Sequence, residues 1–212
     1  MLKQVKKNEI TDIQQQKNST DRYSVFIDGE FAFGICDFDL YTLKLRIGDI
    51  LSDERIREIE KIIDTDKCKN YAVALVSKKM YSKKEITDKM KNRGYSLTAI
   101  SNVISILEEY GYINDEFFTS AFVETYMKKY GIHKIRYELK NKGVDDEIVN
   151  KYLCNFENDE NLFELIKQKT RGKVLDSDLC GKLIRSFVSK GFEYEKIKSC
   201  LSKLTEDVDD FE

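Results

Sequence analysis

Basic side chains gather in two short stretches of the chain, where they could bind phosphate or carboxylate groups of an anionic partner. Lysines are also common on surfaces that only need to stay solvated, so the pattern by itself favours neither interpretation. The hypothetical contact residues are Lys78, Lys79, Lys83 and Lys84 in the first stretch, and Lys128, Lys129, His133, Lys134, Arg136, Lys140 and Lys142 in the second.

The sequence lacks the motifs of the common catalytic sites. It contains no phosphate-binding glycine loop, no HExxH helix motif and no serine nucleophile elbow. The single histidine, His133, is followed by Lys134 and Arg136, whereas a general base would need a nucleophile or an orienting carboxylate nearby. We therefore expect a protein that is not an enzyme and that has no cofactor and no catalytic residue.

The composition is that of a globular chain and gives little support to metal or redox chemistry. The 212 residues are 41% apolar, and the five cysteines are scattered, which predicts reduced thiols without a zinc site or a disulfide. The N-terminal stretch lacks the apolar segment of a secretory signal, and no uncharged apolar run reaches the ~18 residues of a membrane span. We expect a cytoplasmic protein without membrane contact.

The net charge of −2 conceals an uneven distribution. Residues 67–153 carry 16 basic and 11 acidic side chains, a net of +5, whereas the segments before and after them are net −4 and −3. The basic middle segment permits a polyanion or an acidic protein surface as the partner.

The first fifty residues predict a β-hairpin. The runs RYSVFI and EFAFGICDF flank the dipeptide Asp28–Gly29, which favours the positive φ angles of a two-residue turn. With such a turn, Phe26 lies opposite Phe31. Val25 then lies opposite Ala32.

The segment after the hairpin predicts the start of a helix. The run LYTLKLRI could first add a third strand. Ser52 then has the position of an N-cap, with Asp53 and Glu54 at the positive end of the helix dipole. The apolar stripe of this helix would consist of Ile56, Ile59, Ile62 and Ile63.

Three glycines, Gly94, Gly143 and Gly191, mark an internal repeat. They are 49 and 48 residues apart, and six offsets from each glycine hold apolar residues. This pattern fits a helix that ends at a glycine with left-handed backbone, followed by an apolar residue that packs back on that helix. The aligned sets are Ile86, Ile135 and Leu183; Met90, Leu139 and Phe187; Tyr95, Val144 and Phe192; Ile100, Val149 and Ile197; Val103, Tyr152 and Cys200; and Ile104, Leu153 and Leu201.

An apolar helix precedes each of these helix pairs, so the unit is a three-helix repeat of about 45–50 residues, a length typical of stacked helical repeats. The predicted fold class is mainly α, with three tandem three-helix repeats in an elongated curved stack after an N-terminal β-ribbon or hairpin. The predicted domains are residues 1–66 for the hairpin region and a linking helix, 67–114 for repeat 1, 115–157 for repeat 2, and 158–212 for repeat 3 with an acidic tail.

Several further side chains are predicted to have structural roles. Ser82 and Glu85 fit a capping box, and Asp115 and Asp178 are candidate helix caps. Seven aromatic residues mostly follow helical spacing, and we interpret them as packing residues, not as platforms for stacked bases. They are Tyr110, Tyr112, Phe117, Phe118, Phe122, Tyr126 and Tyr130.

Three phrases of the repeats have a characteristic order and spacing. They are Ser82 with Glu85–Ile86, the segment from Gly111 to Phe118 with Phe122, and the run Arg136, Glu138, Leu139, Lys142 and Gly143. With these phrases, the sequence from about residue 69 to residue 204 resembles the RecX family of bacterial regulatory proteins. The third repeat departs most from the family pattern, because little besides Leu183, Phe187 and Gly191 fits it.

The resemblance implies a non-enzymatic modulator, in the inhibitory sense, of the RecA recombinase. Members of this family bind the RecA filament on single-stranded DNA and reduce its ATP hydrolysis and strand exchange. The implied partner is therefore the RecA nucleoprotein filament, with weak contact to single- or double-stranded DNA, and we expect the chain to be a monomer.

Two other interpretations stay open. Two helices joined by a glycine turn have the outline of a helix-turn-helix, which would make the chain a direct DNA-binding regulator. The helices after Gly94 and Gly143 carry apolar residues where base-reading side chains would be needed, which argues against this interpretation. A generic helical-repeat scaffold with some other partner is opposed only by the family phrases.

Overall fold

The computed structural model describes residues 7–17, 19–154 and 159–209. Within these residues the chain forms three strands and then ten helices. The strands are β1 (Ile10–Gln15), β2 (Arg22–Ile27) and β3 (Glu30–Cys36). The helices are α1 (Asp37–Thr42), α2 (Asp53–Val76), α3 (Lys83–Arg93), α4 (Leu97–Glu109), α5 (Asp115–Tyr126), α6 (Ile132–Asn141), α7 (Asp146–Leu153), α8 (Asp159–Thr170), α9 (Ser177–Ser189) and α10 (Tyr194–Asp209).

This element order confirms a mainly helical chain with a small N-terminal sheet and tandem three-helix repeats. The repeats comprise α2 to α4, α5 to α7, and α8 to α10. The chain divides into two compact units, residues 1–74 with 90–105 and residues 75–89 with 106–212. The first unit contains the sheet and its hydrophobic cluster, and the second contains one cluster for each of the last two repeats.

The hairpin between β2 and β3 turns at the predicted dipeptide. Asp28 and Gly29 have φ angles of 50° and 85°, and Ile27 pairs with Glu30 directly across the turn. Positive φ at both central residues is the geometry that suits the twist of a two-residue hairpin. The turn prediction is therefore confirmed.

The register of the hairpin changes one step away from the turn. Phe26 lies opposite Phe31 as predicted, with ring centroids 6.0 Å apart. The pairing then shifts, so that Val25 lies opposite Phe33. The prediction that placed Val25 opposite Ala32 is wrong, because a β-bulge absorbs one residue at this point and brings the buried Val25 and Phe33 together.

The third strand of the sheet comes from a different segment than the sequence predicted. The run LYTLKLRI is not a strand, because its first residues belong to α1 and Lys44 then has a φ angle of 53°. The third strand is β1, which pairs with β2 in antiparallel register. Its sequence, ITDIQQ, combines the β-branched Ile10, Thr11 and Ile13 with polar residues, and pairing with β2 and burial of Ile10 hold it in the sheet.

Helix α2 begins at the predicted N-cap. The hydroxyl of Ser52 accepts a hydrogen bond from the Arg55 N–H at 3.1 Å. Ile59 and Ile63 are buried in the cluster beneath the sheet, whereas Ile62 is 37% exposed. The predicted stripe is thus correct for Ile59 and Ile63 and wrong for Ile62, which points away from this core.

The three repeat glycines end their helices in the same way. Gly94, Gly143 and Gly191 have φ angles of 90°, 73° and 83°. In each case the residue after the glycine donates its N–H to the carbonyl of the aligned apolar residue four before the glycine, the bond that closes a Schellman motif. These bonds join Tyr95 to Met90 (3.3 Å), Val144 to Leu139 (3.2 Å) and Phe192 to Phe187 (3.1 Å).

The apolar positions aligned by the glycines form the cores of the repeats. Sixteen of the eighteen residues are buried, and the two others, Tyr95 and Tyr152, are half-buried. In the third repeat the rings of Phe187 and Phe192 meet edge to face at 5.7 Å. The repeat pattern therefore follows from helix ends that need glycine and helix faces that need burial.

One of the two candidate helix caps is wrong and the other is confirmed. Asp178 is not the N-cap of α9; Asp176 is, with its carboxylate accepting from the Leu179 N–H at 2.7 Å. Asn114 is the N-cap of α5, and the adjacent Asp115 accepts from the Lys83 N–H at 2.8 Å, so its carboxylate caps the first turn of α3 from another repeat. Burial raises the pKa of the Asp115 carboxyl, although the Lys83 N–H opposes this effect.

Candidate functional site

Successive repeats contact each other through the ends of their middle helices, and the contacting residues all lie in the second unit. At the first junction, the N-terminus of α3 contacts the C-terminal turn of α6. The buried Ser82 closes its predicted capping box with Glu85 and also donates its hydroxyl to the Lys142 carbonyl at 2.6 Å. The Lys142 ammonium forms an ion pair with Glu85, and the Lys84 ammonium donates to the Asn141 carbonyl at 3.1 Å.

Glu85 is the electrostatic centre of the first junction. Burial alone would raise the pKa of its carboxyl, but the hydrogen bond from Lys142, the Ser82 N–H and the charge of Lys142 together lower it. The Lys142 ammonium also lies 5.7 Å from the ring centroid of Phe118 and 5.8 Å from that of Phe122. Lys142 therefore connects two repeats and stabilises an ionised Glu85.

At the second junction, the N-terminus of α6 contacts the C-terminal turn of α9 through backbone groups. The Gly131 N–H donates to the Lys190 carbonyl at 3.0 Å, and the His133 N–H donates to the Gly191 carbonyl at 3.2 Å. A side chain on Gly131 would overlap the Gly191 carbonyl, and one on Gly191 would overlap the backbone of Lys134. The two glycines thus allow the two backbones to touch.

Several predicted contact residues have partners within the protein. Lys83 pairs with Glu108 at 2.7 Å, Lys134 with Glu138 at 2.8 Å, and Lys140 with Asp146 at 2.8 Å. The Arg136 guanidinium donates to the Asn150 side chain. These groups, with Lys84 and Lys142, have structural partners that a binding surface would have to share.

The remaining predicted contact residues are exposed and are not engaged in ion pairs within the described residues. Among the described residues, Lys78, Lys79, Lys128, Lys129 and His133 are exposed and have no carboxylate partner within ion-pair distance. Lys79 lies 4.5 Å from the ring centroid of Tyr81. The structure brings the two basic stretches together where Lys84 covers Gly143 at the first junction.

A groove of about 460 Å³ lies beside the residues that precede α3. Met80, Tyr81, Tyr112 and Phe117 line it together with the smaller Gly111, Ser120 and Ala121. Phe117 is 68% exposed, Tyr112 61% and Met80 52%. We call this feature the aromatic groove. Its residues Phe117, Ser120, Ala121 and Glu124 recur at the spacing of one face of α5.

The aromatic groove corrects one interpretation of the sequence. Phe118 is buried and Phe122 half-buried, as packing residues should be, but Phe117, Tyr110 and Tyr112 lie at the surface. A signal for this exists in the sequence: adjacent residues of a helix point about 100° apart, so Phe117 and Phe118 cannot both face one core. Tyr110 and Tyr112 flank a helix-ending glycine, where side chains leave the core.

Cys36, Asp39 and Asp66 bring donor atoms within 4.8 Å of one another in the first unit. The Cys36 sulfur is the N-cap of α1 and accepts from the Asp39 N–H at 3.3 Å, which accounts for the approach of Asp39. Burial, with the negative charges of Asp39 and Asp66, raises the pKa of the Cys36 thiol. All five cysteines of the chain are free thiols.

Comparison with known protein families decides the relationship that the repeats suggested. The family model for the regulatory protein RecX N-terminal domain matches residues 8–52. The models for the first and second RecX three-helix domains match residues 68–107 and 114–153. The chain belongs to the RecX family.

RecX relatives match the chain over nearly its full length. The regulatory protein RecX of Clostridium beijerinckii is 31% identical over 210 residues, 95% of this chain and 99% of the relative. That of Caldanaerobacter subterraneus is 35% identical over 192 residues, 90% of this chain and 96% of the relative. Both relatives are named regulatory proteins, and neither name denotes an enzymatic activity.

Solved RecX structures share the fold. A crystal structure of regulatory protein RecX superposes with a TM-score of 0.66 at 22% identity, covering 90% of this chain and 97% of the other. RecX from Lactobacillus salivarius gives a TM-score of 0.61 at 26% identity, covering 68% and 98%. Among the described residues of this RecX-family chain, no helix combines the length and apolarity that crossing a membrane requires.

Proposed function

We propose that the chain is a non-enzymatic inhibitor of the RecA recombinase, which binds the RecA filament on single-stranded DNA and reduces its ATPase and strand exchange. Membership of the RecX family along almost the whole chain carries this proposal. The RecA filament offers both DNA phosphates and protein surface. A middle segment with a moderate net charge of +5 suits such a partner, because protein contacts can add to the attraction of the phosphates.

The unpaired lysines are the first candidates for contact with the filament. Lys78 and Lys79 precede α3, and Lys128 and Lys129 follow α5. Because they have no ion-pair partner among the described residues, binding can use their charges without first breaking a bond within the protein. The paired residues Lys83, Lys134, Arg136, Lys140, Lys142 and Lys84, with His133, complete the proposed basic surface.

The deciding experiment titrates the protein against the single-stranded-DNA-dependent ATPase of the cognate RecA. We expect ATP hydrolysis to fall as the protein approaches the RecA concentration. An ATPase unchanged at several-fold excess would refute the proposal. Tight, sequence-selective binding to a DNA duplex without RecA would instead favour a DNA-binding regulator.

A variant with Lys78, Lys79, Lys128 and Lys129 replaced by alanine tests the contact residues. We expect weaker filament binding and a salt dependence reduced by about 0.7 in log–log slope for each DNA phosphate that the variant no longer neutralises. The matched control replaces Lys167, Arg171, Lys173 and Lys198, four exposed basic residues of the third repeat. Equal losses from both variants would show a general charge effect and remove the four lysines from the proposal.

A further inference from the structure

Several large apolar side chains are exposed together around the aromatic groove. Phe117, Tyr112 and Met80 all line one depression, and Tyr110, 72% exposed, lies with its ring centroid 6.4 Å from that of Tyr112. Single exposed apolar residues are ordinary, but a contiguous group around a concave site is typical of interaction surfaces. Aromatic residues and methionine are also enriched at the centres of protein interfaces.

The groove has room for a large side chain of a partner. Gly111, Ser120 and Ala121 leave space between the larger groups, and the volume is about 460 Å³. An apolar side chain inserted there would be enclosed by Tyr112, Phe117 and Met80. This is the arrangement in which a few anchor residues supply most of the binding free energy.

The charges around the groove favour a protein segment over a nucleic acid strand. Glu124 lines the groove, and its carboxylate would repel the phosphates that a nucleic acid strand places along its whole length, whereas a protein segment can keep its carboxylates at the edge next to Lys79. The Tyr81 ring is buried, with the ammonium groups of Lys79 and Lys89 at 4.5 Å and 5.5 Å from its centroid, so it offers little surface to a base. Phe117 and Tyr112 alone make a short platform for a strand that stacks successive bases.

The basic residues next to the groove favour acidic residues on either side of the inserted side chain. Lys78 and Lys79 directly precede Met80 and Tyr81, and neither has an ion-pair partner in the described part of the chain. Carboxylates next to the inserted side chain would therefore meet the Lys79 ammonium, which lies 4.5 Å from the centroid of the groove residue Tyr81 and has no carboxylate within ion-pair distance in the described part of the chain. Such pairs at an interface rim act chiefly on association rate and on choice of partner.

We propose that the aromatic groove binds a segment of a partner protein that carries a large apolar side chain flanked by carboxylates. This inference rests on the proposed function, since the segment would belong to RecA protomers in the filament. It adds an apolar anchor to a surface that the sequence indicated only by its lysines.

The test compares Phe117→Ala with Tyr112→Ala as a double variant against Leu97→Ala, which removes a side chain that is 72% exposed on α4. Binding is measured to cognate RecA filaments on single-stranded DNA and to a labelled oligo(dT) strand without RecA. We expect the double variant to lose filament affinity about tenfold or more, with its melting temperature and oligo(dT) affinity unchanged. Leu97→Ala should bind like the wild type.

Each other outcome is informative. Wild-type protein that does not bind filaments overturns the proposed function and the inference together, whereas filament binding unaffected by the double variant overturns the inference alone. A parallel loss of oligo(dT) affinity would identify base stacking and also overturn it. Should the double variant melt early, Ser120→p-benzoylphenylalanine in the groove gives a second test: we expect photo-crosslinks to RecA, and crosslinks only to DNA refute the proposal.

Discussion

The two junctions between repeats achieve the same contact with different chemistry. At the first, the Ser82 hydroxyl and the Lys142–Glu85 ion pair connect the helix ends. At the second, Gly131 and Gly191 bring the backbones into direct contact. Side chains can be replaced or can shift, whereas two touching backbones leave no room for an added atom. Equivalent positions in a repeat can therefore differ widely in their tolerance to substitution.

Gly131→Ala should break the second junction most severely. Gly131 has a φ angle of −79°, which any residue can adopt, so alanine causes no backbone strain there. The loss of stability therefore reports only the overlap of its Cβ with the Gly191 carbonyl. We expect the free energy of unfolding to fall by about 3 kcal/mol or more, the upper range for overpacking. Urea unfolding followed by circular dichroism measures it. A loss below that of Gly94→Ala, where a side chain meets open space, would contradict the close contact.

Alanine substitutions at the three turn glycines should lower the free energy of unfolding by amounts that depend on the atoms around each glycine. All have positive φ, which costs about 1 kcal/mol for alanine, and Gly94→Ala should show this strain alone. Gly143→Ala also overlaps the Lys84 side chain from its Cβ outward, for a loss of about 2 kcal/mol, and Gly191→Ala overlaps the Lys134 backbone, for about 3 kcal/mol. Equal losses in the three variants would show that conformational strain alone decides the effect.

Ser82→Ala tests the side-chain connection at the first junction. The substitution removes the N-cap of α3 and the donor to the Lys142 carbonyl, so we expect a loss of about 1.5 kcal/mol. Ser52→Ala is the matched control, because Ser52 caps α2 from an exposed position. If both variants lose the same stability, the hydrogen bond between the repeats contributes nothing beyond the cap.

Lys142→Met should have the smallest effect, and one that depends on pH. Methionine keeps the apolar stem against Phe118 and Phe122 but removes the partner of Glu85, for a loss of about 1 kcal/mol at pH 7. The folded-state pKa of Glu85 is lowered from 4.5, so the stabilisation by its ionised form is present above that pH and is lost as the pH falls.

The difference in unfolding free energy between wild type and Lys142→Met should therefore shrink as the pH falls below 4.5 and through the lowered folded-state pKa of Glu85, where the folded protein takes up the proton. Lys140→Met removes an exposed ion pair with Asp146 and should change stability little at either pH. A difference between wild type and Lys142→Met that stayed constant with pH would assign the effect to packing.

Local features of the fold could be predicted from the sequence, and features set by distant partners could not. The glycine turns, the Ser82–Glu85 capping box and the Asp28–Gly29 hairpin depend on neighbouring residues, and all three are confirmed. Strand β1 and the bulge at Val25 depend on pairing with other segments, and neither is predicted from the sequence.

The candidate site shows the same limit. The sequence shows the basic stretches directly. It does not show that Lys142 pairs with Glu85, which lies 57 residues earlier in the chain and in another repeat. The orientation of α5 about its axis decides which of two adjacent phenylalanines is exposed. The sequence does not give this orientation, so both Phe117 and Phe118 are predicted to be packing residues. A charge pattern therefore shows which residues could bind a partner, and only the packed repeats show which of them are already engaged.

The shared junction geometry also restricts changes in chain length. Ser82 and Gly131, the N-terminal residues at the two junctions, each stand twelve positions before the glycine that ends the same helix. In α9 the N-cap Asp176 stands fifteen positions before Gly191. An insertion of one residue within α3 or α6 would rotate one end by about 100° and displace it by about 1.5 Å, which separates it from its neighbour. Insertions and deletions are therefore expected to be tolerated between these helices and to be excluded from within them.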